Sequence, residues 1–291
     1  MSSCITDIIT GERLESLCDH ILNTSNVPDI PYIATYFNHK CINIYAMLDN
    51  EFDNKQIIYI KTDYIVHNIP HLILFLQKCK NKIILVIHNS DYSFDERHLV
   101  LFTEIPKLKH IYTQNVNVND SRVSPLPIGI SNRRFNPDGI ETIARVSCEN
   151  NKKDKFIYFN FTIDTNPGKR LKCFHHFNNA GVPYIPNMSF NDYIRELSRY
   201  KYCICPDGNG IDTHRLWECL YVKTIPICMR SINTEYFAQF MPIILVNDWS
   251  EVDIPSLEAL EYKWEPKEKA FLTLSYQYEM IYRKATEPSS E

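Results

Sequence analysis

The sequence predicts an α/β protein of two domains, each built on a parallel sheet that helices cover on both faces. Apolar runs alternate with helix-compatible segments along the chain, which is typical of this class. A length of 291 residues, 44% of them apolar, allows one large domain or two of about 140 residues. Residues 202–229 also follow the order strand, glycine loop, helix, strand, which is one βαβ unit.

In the first half, apolar runs predict strands, and two segments of helical spacing predict helices at 11–22 and 70–78. The predicted strands are 41–48, 57–60, 83–88, 110–113 and 123–128. The segment 125–139, rich in proline, glycine and asparagine, predicts the end of the first domain, and 141–155 predicts a helix end and a linker. The predicted domains are therefore 1–140 and 141–265, followed by a C-terminal segment at 266–291.

In the second half, the same patterns predict strands at 155–159, 182–185, 202–205, 224–229 and 242–246. Helices are predicted at 169–177, 189–200, 213–222, 233–240 and 265–284. Asn166 with Pro167 predicts a capped start for the first of these helices, and Ser189 or Asn191 caps the second.

The glycine loop at 208–210 places backbone N–H groups and a helix N-terminus at the carboxyl end of a strand, where phosphates and other anions bind. At 100° per residue, His214, Arg215 and Glu218 share an arc of about 100°. The arginine fork suits a diphosphate, and the carboxylate suits vicinal ribose hydroxyls. The alternative is an exposed Arg–Glu pair. The anion-site candidates are Gly208, Asn209, Gly210, Asp212, Thr213, His214, Arg215 and Glu218.

Composition argues against several other classes. A net charge of −4 gives no broad electrostatic case for nucleic acid or anionic membranes as partners. We find no signal-peptide pattern and no apolar run of membrane-spanning length, so we expect a cytoplasmic protein without a membrane span. A nicotinamide-dependent oxidoreductase is disfavoured because no G-x-G-x-x-G follows an early strand.

The ten cysteines are predicted to be reduced residues, most of them in apolar runs. The alternative is a zinc site built from Cys203, Cys205 and Cys219. The spacing of these three residues disfavours it, since it contains no CxxC pair.

The segment CPDGNGIDTHRLWECLYVKTIPI, residues 205–227, resembles the donor-site signature of exostosin-like glycosyltransferases of family 47. That signature runs C-P-x-G, then R-x-x-E-A-L, then a small residue and I-P-I/V, and the resemblance extends over about 197–249. Asp207 departs from it where many members carry a basic residue, and Lys223 departs where glycine is usual. The resemblance implies a GT-B-like fold, in which two Rossmann-like domains face a central cleft.

It further implies an inverting glycosyltransferase that binds a nucleotide sugar, UDP-linked, in its C-terminal half. No metal and no cofactor are implied beyond the nucleotide sugar as co-substrate, and the acceptor is a glycan or glycoprotein hydroxyl. UDP-xylose is slightly favoured among the donors. In GT-B folds the last helix crosses back to the first domain, and the loop after the first strand of the C-terminal domain faces the donor diphosphate. That loop adds Asn160, Thr162, Asp164 and Arg170 to the donor-binding candidates.

The catalytic base is expected from the polar strand ends of the N-terminal half, at 61–63 and 88–92. Asp91 is favoured, with His88 and Asp63 as alternatives. Two alternatives to the main functional prediction are a non-catalytic nucleotide- or glycan-binding module of the same fold and a fucosyltransferase-like GT-B enzyme.

Overall fold

The computed structural model describes residues 7–23, 41–43, 57–103, 105–149, 151–260 and 264–287. The chain forms two compact units. The N-terminal unit contains Thr10–Ile128 and the chain from Leu274 onward; the C-terminal unit contains the chain up to Ile9 and Gly129–Thr273. Both units are α/β structures with parallel sheets, compatible with Rossmann-like folds.

The described part of the N-terminal unit holds a parallel sheet of six strands in the order β2-β1-β3-β4-β6-β8. Its central strands, β3 and β4, are apolar and almost wholly buried, as expected for strands covered on both faces. The strands of this sheet are β1 (His20–Asn23), β2 (Cys41–Asn43), β3 (Ile57–Lys61), β4 (Ile83–His88), β6 (Leu108–Thr113) and β8 (Val123–Pro125). Two short strands, β5 (Phe94–Asp95) and β7 (Val116–Asn117), form a separate parallel pair.

The helices of this unit depart from the sequence predictions more than its strands do. The first helix, α1 (Gly11–Leu17), ends earlier than predicted, because β1 begins at His20. The second, α2 (Thr62–Gln77), starts directly after β3 and runs through Pro70, where the prediction began. The third, α3 (Glu96–Thr103), was not predicted. Of the strand predicted at 41–48, residues 44–48 lie outside the described part of the chain.

The described part of the C-terminal unit contains a parallel sheet of four strands in the order β12-β11-β10-β9. They are β9 (Lys155–Tyr158), β10 (Tyr200–Ile204), β11 (Ile225–Met229) and β12 (Ile244–Val246). These strands confirm four of the five predicted in this half. The prediction at 182–185 was wrong: Pro183 and Pro186 have no N–H to donate, and only the N–H of Ile185 bonds to the edge of the sheet, at Phe159 O, 2.9 Å away.

Three helices of the C-terminal unit begin at Asn166, Ser189 and Ser231, whose side chains cap them. Asn166 accepts a hydrogen bond from the N–H of Lys169 with Pro167 in the first turn, and Ser189 accepts one from Asp192, both as predicted. The helices are α4 (Gly139–Cys148), α5 (Pro167–Asn179), α6 (Phe190–Leu197), α7 (His214–Tyr221), α8 (Ile232–Ala238), α9 (Ile254–Ala259) and α10 (Pro266–Phe271).

The helix predicted at 265–284 is two helices, α10 and α11 (Leu274–Thr286). Thr273 separates them because its backbone forms an antiparallel bridge with Ile8 instead of continuing the helix. Within the N-terminal unit, α11 packs on β3, β4, β6 and α1.

The structure also bears on two predictions made for the whole chain, namely reduced cysteines and the lack of a membrane span. Seven described cysteines are thiols, as expected, but Cys148 is disulfide-bonded, so the prediction of reduced cysteines was wrong at that residue. The seven are Cys18, Cys79, Cys173, Cys203, Cys205, Cys219 and Cys228. In the described part of the chain, no helix is both long enough and apolar enough to cross a bilayer.

Candidate anion-binding site

The loop between β10 and α7 is closed by hydrogen bonds to its own backbone and to the cap of α5. The N–H of Gly208 donates to Gly210 O at 3.1 Å, and the side-chain amide of Asn166 donates to Gly208 O at 2.8 Å. A Cβ atom at Gly208 would lie 3.3 Å from Nη2 of Arg170 and 3.5 Å from Cγ2 of Thr213. A glycine here therefore lets an arginine side chain come close to the loop backbone.

Arg170, in the first turns of α5, uses its guanidinium to join two loops. Its Nε donates to Asp207 O at 2.8 Å, and its Nη1 donates to Thr162 O at 2.7 Å. Burial lowers the pKa of Arg170, the charge of Arg215 lowers it further, and the charge of Asp207 opposes both effects. Two guanidinium charges in one partly buried site produce a positive electrostatic potential, which favours the binding of an anion.

Arg215, on α7, is fixed by a backbone carbonyl and by aromatic faces. Its Nη1 donates to Asn160 O at 2.6 Å, just past the end of β9. Its guanidinium carbon lies 4.6 Å from the ring centroid of Tyr193 and 5.6 Å from that of Tyr158. No hydrogen bond within the described residues uses its buried Nε, although Oε2 of Glu218 lies 3.7 Å away. The side chain of Arg215 is 23% exposed.

The carboxylate of Glu218 is held by a buried hydrogen-bond donor. Its Oε2 accepts a hydrogen bond from the hydroxyl of Tyr193 at 2.7 Å, and its side chain is only 9% exposed. Burial raises the pKa of Tyr193 well above its ordinary value, so the phenol stays protonated and remains a donor. Glu218 and Arg215 do share one helix face, as the spacing predicted, but the carboxylate is largely covered rather than open to a ribose.

The ring of His214 forms a hydrogen bond with a backbone carbonyl of the same unit. Its Nδ1 lies 2.8 Å from Gly129 O. A carbonyl oxygen can only accept, so Nδ1 of His214 donates this hydrogen bond.

Asp212 has a buried partner that the sequence did not indicate. Its Oδ1 accepts a hydrogen bond from the indole N–H of Trp217 at 2.8 Å, and the residue is 4% exposed. Asp212 therefore helps to pack α7. Its carboxylate does not lie at the surface, where a nucleotide sugar could reach it.

The remaining predicted donor-side residues divide into two groups. Asn160 contributes its carbonyl to Arg215, while its own amide donates to Ile185 O and to Asn187 Oδ1, so it is buried among protein partners. Thr162 contributes its carbonyl to Arg170. Exposed or half-buried positions around the two loops are taken by the side chains of Thr162, Asp164, Asn209 and Thr213.

Sequence reasoning did not assign Tyr158 or Tyr193 to this site, and it noted Asp207 only as a departure from the family signature. Tyr158 and Tyr193 supply the aromatic faces under Arg215, and Asp207 pairs with Lys169 at 2.5 Å. The one available signal was that Tyr158 stands two residues before Asn160 near the end of a predicted strand. Tyr193 belongs to a separate helix, and no spacing rule connects it to Arg215.

In the N-terminal unit, the polar strand ends bind one another. Asn89, with φ of 60°, donates its amide to the hydroxyl of Tyr59 at 2.8 Å, and its N–H donates to Oε1 of Gln114 at 2.9 Å. Asn115, with φ of 52°, donates to Ser90 O at 3.1 Å. The strand ends of β3, β4 and β6 are therefore brought together, as the sequence predicted, but much of their hydrogen-bonding capacity is used internally.

The three base candidates differ in accessibility. Asp91 is exposed. Asp63 is half-buried, with Nζ of Lys61 3.7 Å from its carboxylate. His88 is fully buried, and its Nε2 lies 3.0 Å from Pro127 O, so it donates a structural hydrogen bond. A base must reach its acceptor hydroxyl, and in this structure His88 cannot.

The chain was also compared with known proteins. No protein-family model matches it, and no curated protein matches it.

Proposed function

We propose that the C-terminal unit binds the diphosphate of a nucleotide sugar and that the protein is an inverting glycosyltransferase of GT-B type. The observation that carries this proposal is the pair Arg170 and Arg215. Arg170 lies against the glycine loop, Arg215 lies in the first turn of the following helix α7, and the charge of Arg215 lowers the pKa of Arg170. Keeping two cations together in a partly buried site costs free energy, and a dianionic ligand offsets that cost.

The arginines are oriented before any ligand arrives. The hydrogen bonds of these guanidinium groups go to the carbonyls of Asp207, Thr162 and Asn160, which fix their orientation, and Oε2 of Glu218 lies 3.7 Å from Nε of Arg215. Such preorganised donors stabilise charge on a departing nucleoside diphosphate, the work a metal ion performs in other transferases. The reaction therefore needs no divalent cation at the diphosphate.

Asp91 is our proposed general base for the acceptor hydroxyl, because its carboxylate is exposed while His88 is buried. The donor is UDP-linked in this proposal, with UDP-xylose first among those to test, and the acceptor is a glycan hydroxyl.

Isothermal titration calorimetry with UDP and a panel of UDP-sugars tests donor binding. Arg170→Ala and Arg215→Ala should each weaken the affinity by about tenfold to a hundredfold, the amount expected for losing a hydrogen bond to a charged group. Arg199→Ala is the matched control, since this arginine of the same unit forms a surface ion pair with Asp154. Equal affinities in all four proteins would refute the donor site.

Transfer is tested separately with radiolabelled donor and glycan acceptors. Asp91→Asn should bind the donor normally and lose transfer, and added Mg²⁺ or Mn²⁺ should not change the wild-type rate. Donor binding without transfer to any acceptor would favour a non-catalytic binding module instead.

A further inference from the structure

One face of the C-terminal sheet, the face covered by α7, carries cysteine thiols. Cys203 lies in β10 and Cys205 directly follows its last residue, where the N–H of Cys205 still bonds to Ile227 O of β11, so the two thiols alternate with Tyr202 and Ile204 and share that face. Cys219 approaches from α7. The three Sγ atoms all lie within 4.8 Å of one another, and the three residues are at most 3% exposed.

The sulfur separations fit metal coordination. A tetrahedral ion with metal–sulfur bonds of about 2.3 Å holds two thiolate sulfurs about 3.8 Å apart. Sγ of Cys205 and Sγ of Cys219 are 3.8 Å apart. Cys203 needs to move only slightly to complete three such contacts, since its Sγ is within 4.8 Å of both.

Charge balance also favours an ion here. Three thiolates around a divalent cation leave one negative charge, which is costly to bury without a partner. Arg215 lies one helical turn before Cys219 on α7, and its guanidinium supplies a positive charge on the same side of that helix. Cys228, a buried thiol on the neighbouring strand β11, is a candidate for a fourth position.

We propose that Cys203, Cys205 and Cys219 bind a thiolate-preferring divalent cation, with Zn²⁺ the first to test, as a structural site between β10 and α7. Sequence spacing disfavoured this site because zinc motifs usually contain CxxC pairs. Here the third ligand, Cys219, lies on a helix that packs on the sheet. Packing therefore brings together ligands that a local sequence motif would not. The ion would tie α7 to the sheet and so fix the helix that carries Arg215.

The competing account is that these thiols pack as small hydrophobic groups. Cys173 provides the matched control, since it is a fully buried thiol of the same unit. It lies on α5 in the core cluster with Tyr202 and Ile204, on the opposite face of the sheet.

The first experiment measures metal by elemental mass spectrometry in the full-length chain, produced with added zinc and purified without chelator. The wild type and Cys173→Ala should carry a stoichiometric amount of zinc. Cys205→Ala and Cys219→Ala should lose it while far-ultraviolet circular dichroism confirms that they fold. Zinc content that is equal in all four proteins, or absent from the wild type, contradicts the proposal.

A second experiment covers variants that fail to fold. The wild-type chain is unfolded with chelator, refolded without metal and titrated with Cd²⁺. Ultraviolet thiolate-to-cadmium charge transfer should rise and saturate at one equivalent. Absence of this band would overturn the site. Neither experiment contains a nucleotide, so each proposal can fail without the other.

Discussion

The hydroxyl of Tyr193 donates a hydrogen bond to Oε2 of Glu218 across 2.7 Å and thereby joins α6 to α7. Nε of Arg215 lies 3.7 Å from the same oxygen, and its guanidinium lies over the Tyr193 ring. The cation at the candidate site is thus held by a carboxylate that is itself held by a buried phenol. The position of the Arg215 side chain therefore depends on the packing of α6 against α7.

Tyr193→Phe should destabilise the protein by about 1–3 kcal/mol, because it leaves a buried carboxylate oxygen without its donor. Urea unfolding measures the change. Tyr282→Phe is the control, since Tyr282 is 50% exposed and its substitution should alter stability by less than about 0.5 kcal/mol. Equal effects of the two substitutions would mean that the Tyr193–Glu218 bond contributes nothing measurable.

Gly208→Ala should weaken nucleotide-sugar binding with little loss of stability. The added Cβ would lie 3.3 Å from Nη2 of Arg170, which is close enough to push the end of a flexible side chain aside. Calorimetry of donor binding and urea unfolding together separate the two effects.

Gly168→Ala is its matched control. Gly168 lies in the first turn of α5, and an added Cβ would meet nothing nearer than Oδ1 of Asn166 at 3.9 Å. This variant should keep donor affinity. If both alanine variants bound donor as the wild type does, close approach of Arg170 to the loop would be irrelevant to binding.

The sequence predicted what depends on local pattern and missed what depends on packing. Apolar runs located β3, β4 and β10, and helical spacing correctly placed Arg215 and Glu218 on one face of α7. The strand predicted at 182–185 failed because apolar residues alone do not make a strand when one proline within it and another directly after it have no N–H to donate. The convergence of Cys219 on Cys203 and Cys205 was only a disfavoured alternative at the level of sequence, since it depends on how α7 packs.

The same limit applies to Asp212, which the sequence grouped with the donor-binding loop. Its carboxylate accepts from the Trp217 indole in the interior. Asp212→Ala should destabilise the protein by about 1–3 kcal/mol, because it leaves a buried N–H unpaired. The measurement is urea unfolding, with donor affinity measured in parallel on the folded protein. A stable variant with weakened donor binding would restore the role predicted from sequence.

Stability should also fall in mild acid because of His110, a buried residue of β6. Burial lowers the pKa of His110 to about 4, the charge of Lys284 adds to the effect, and Asp120 and Glu287 oppose it. The ordinary histidine pKa is about 6.5, so between pH 6.5 and 4 the unfolded chain binds a proton that the native protein excludes. Stability contributed by the neutral ring is therefore present above pH 6.5 and lost as the pH falls.

The pKa difference corresponds to a loss of about 3 kcal/mol when the pH reaches about 4, below which both states are protonated and the loss stops. His110→Gln should flatten this part of the pH profile, since a glutamine amide can still bond to Oγ of Ser124, 2.9 Å from Nε2 in the native protein. Urea unfolding at a series of pH values measures both profiles. His175→Gln, at an exposed position of α5, should leave the slope unchanged. A His110→Gln profile as steep as that of the wild type would assign the acid sensitivity to other groups.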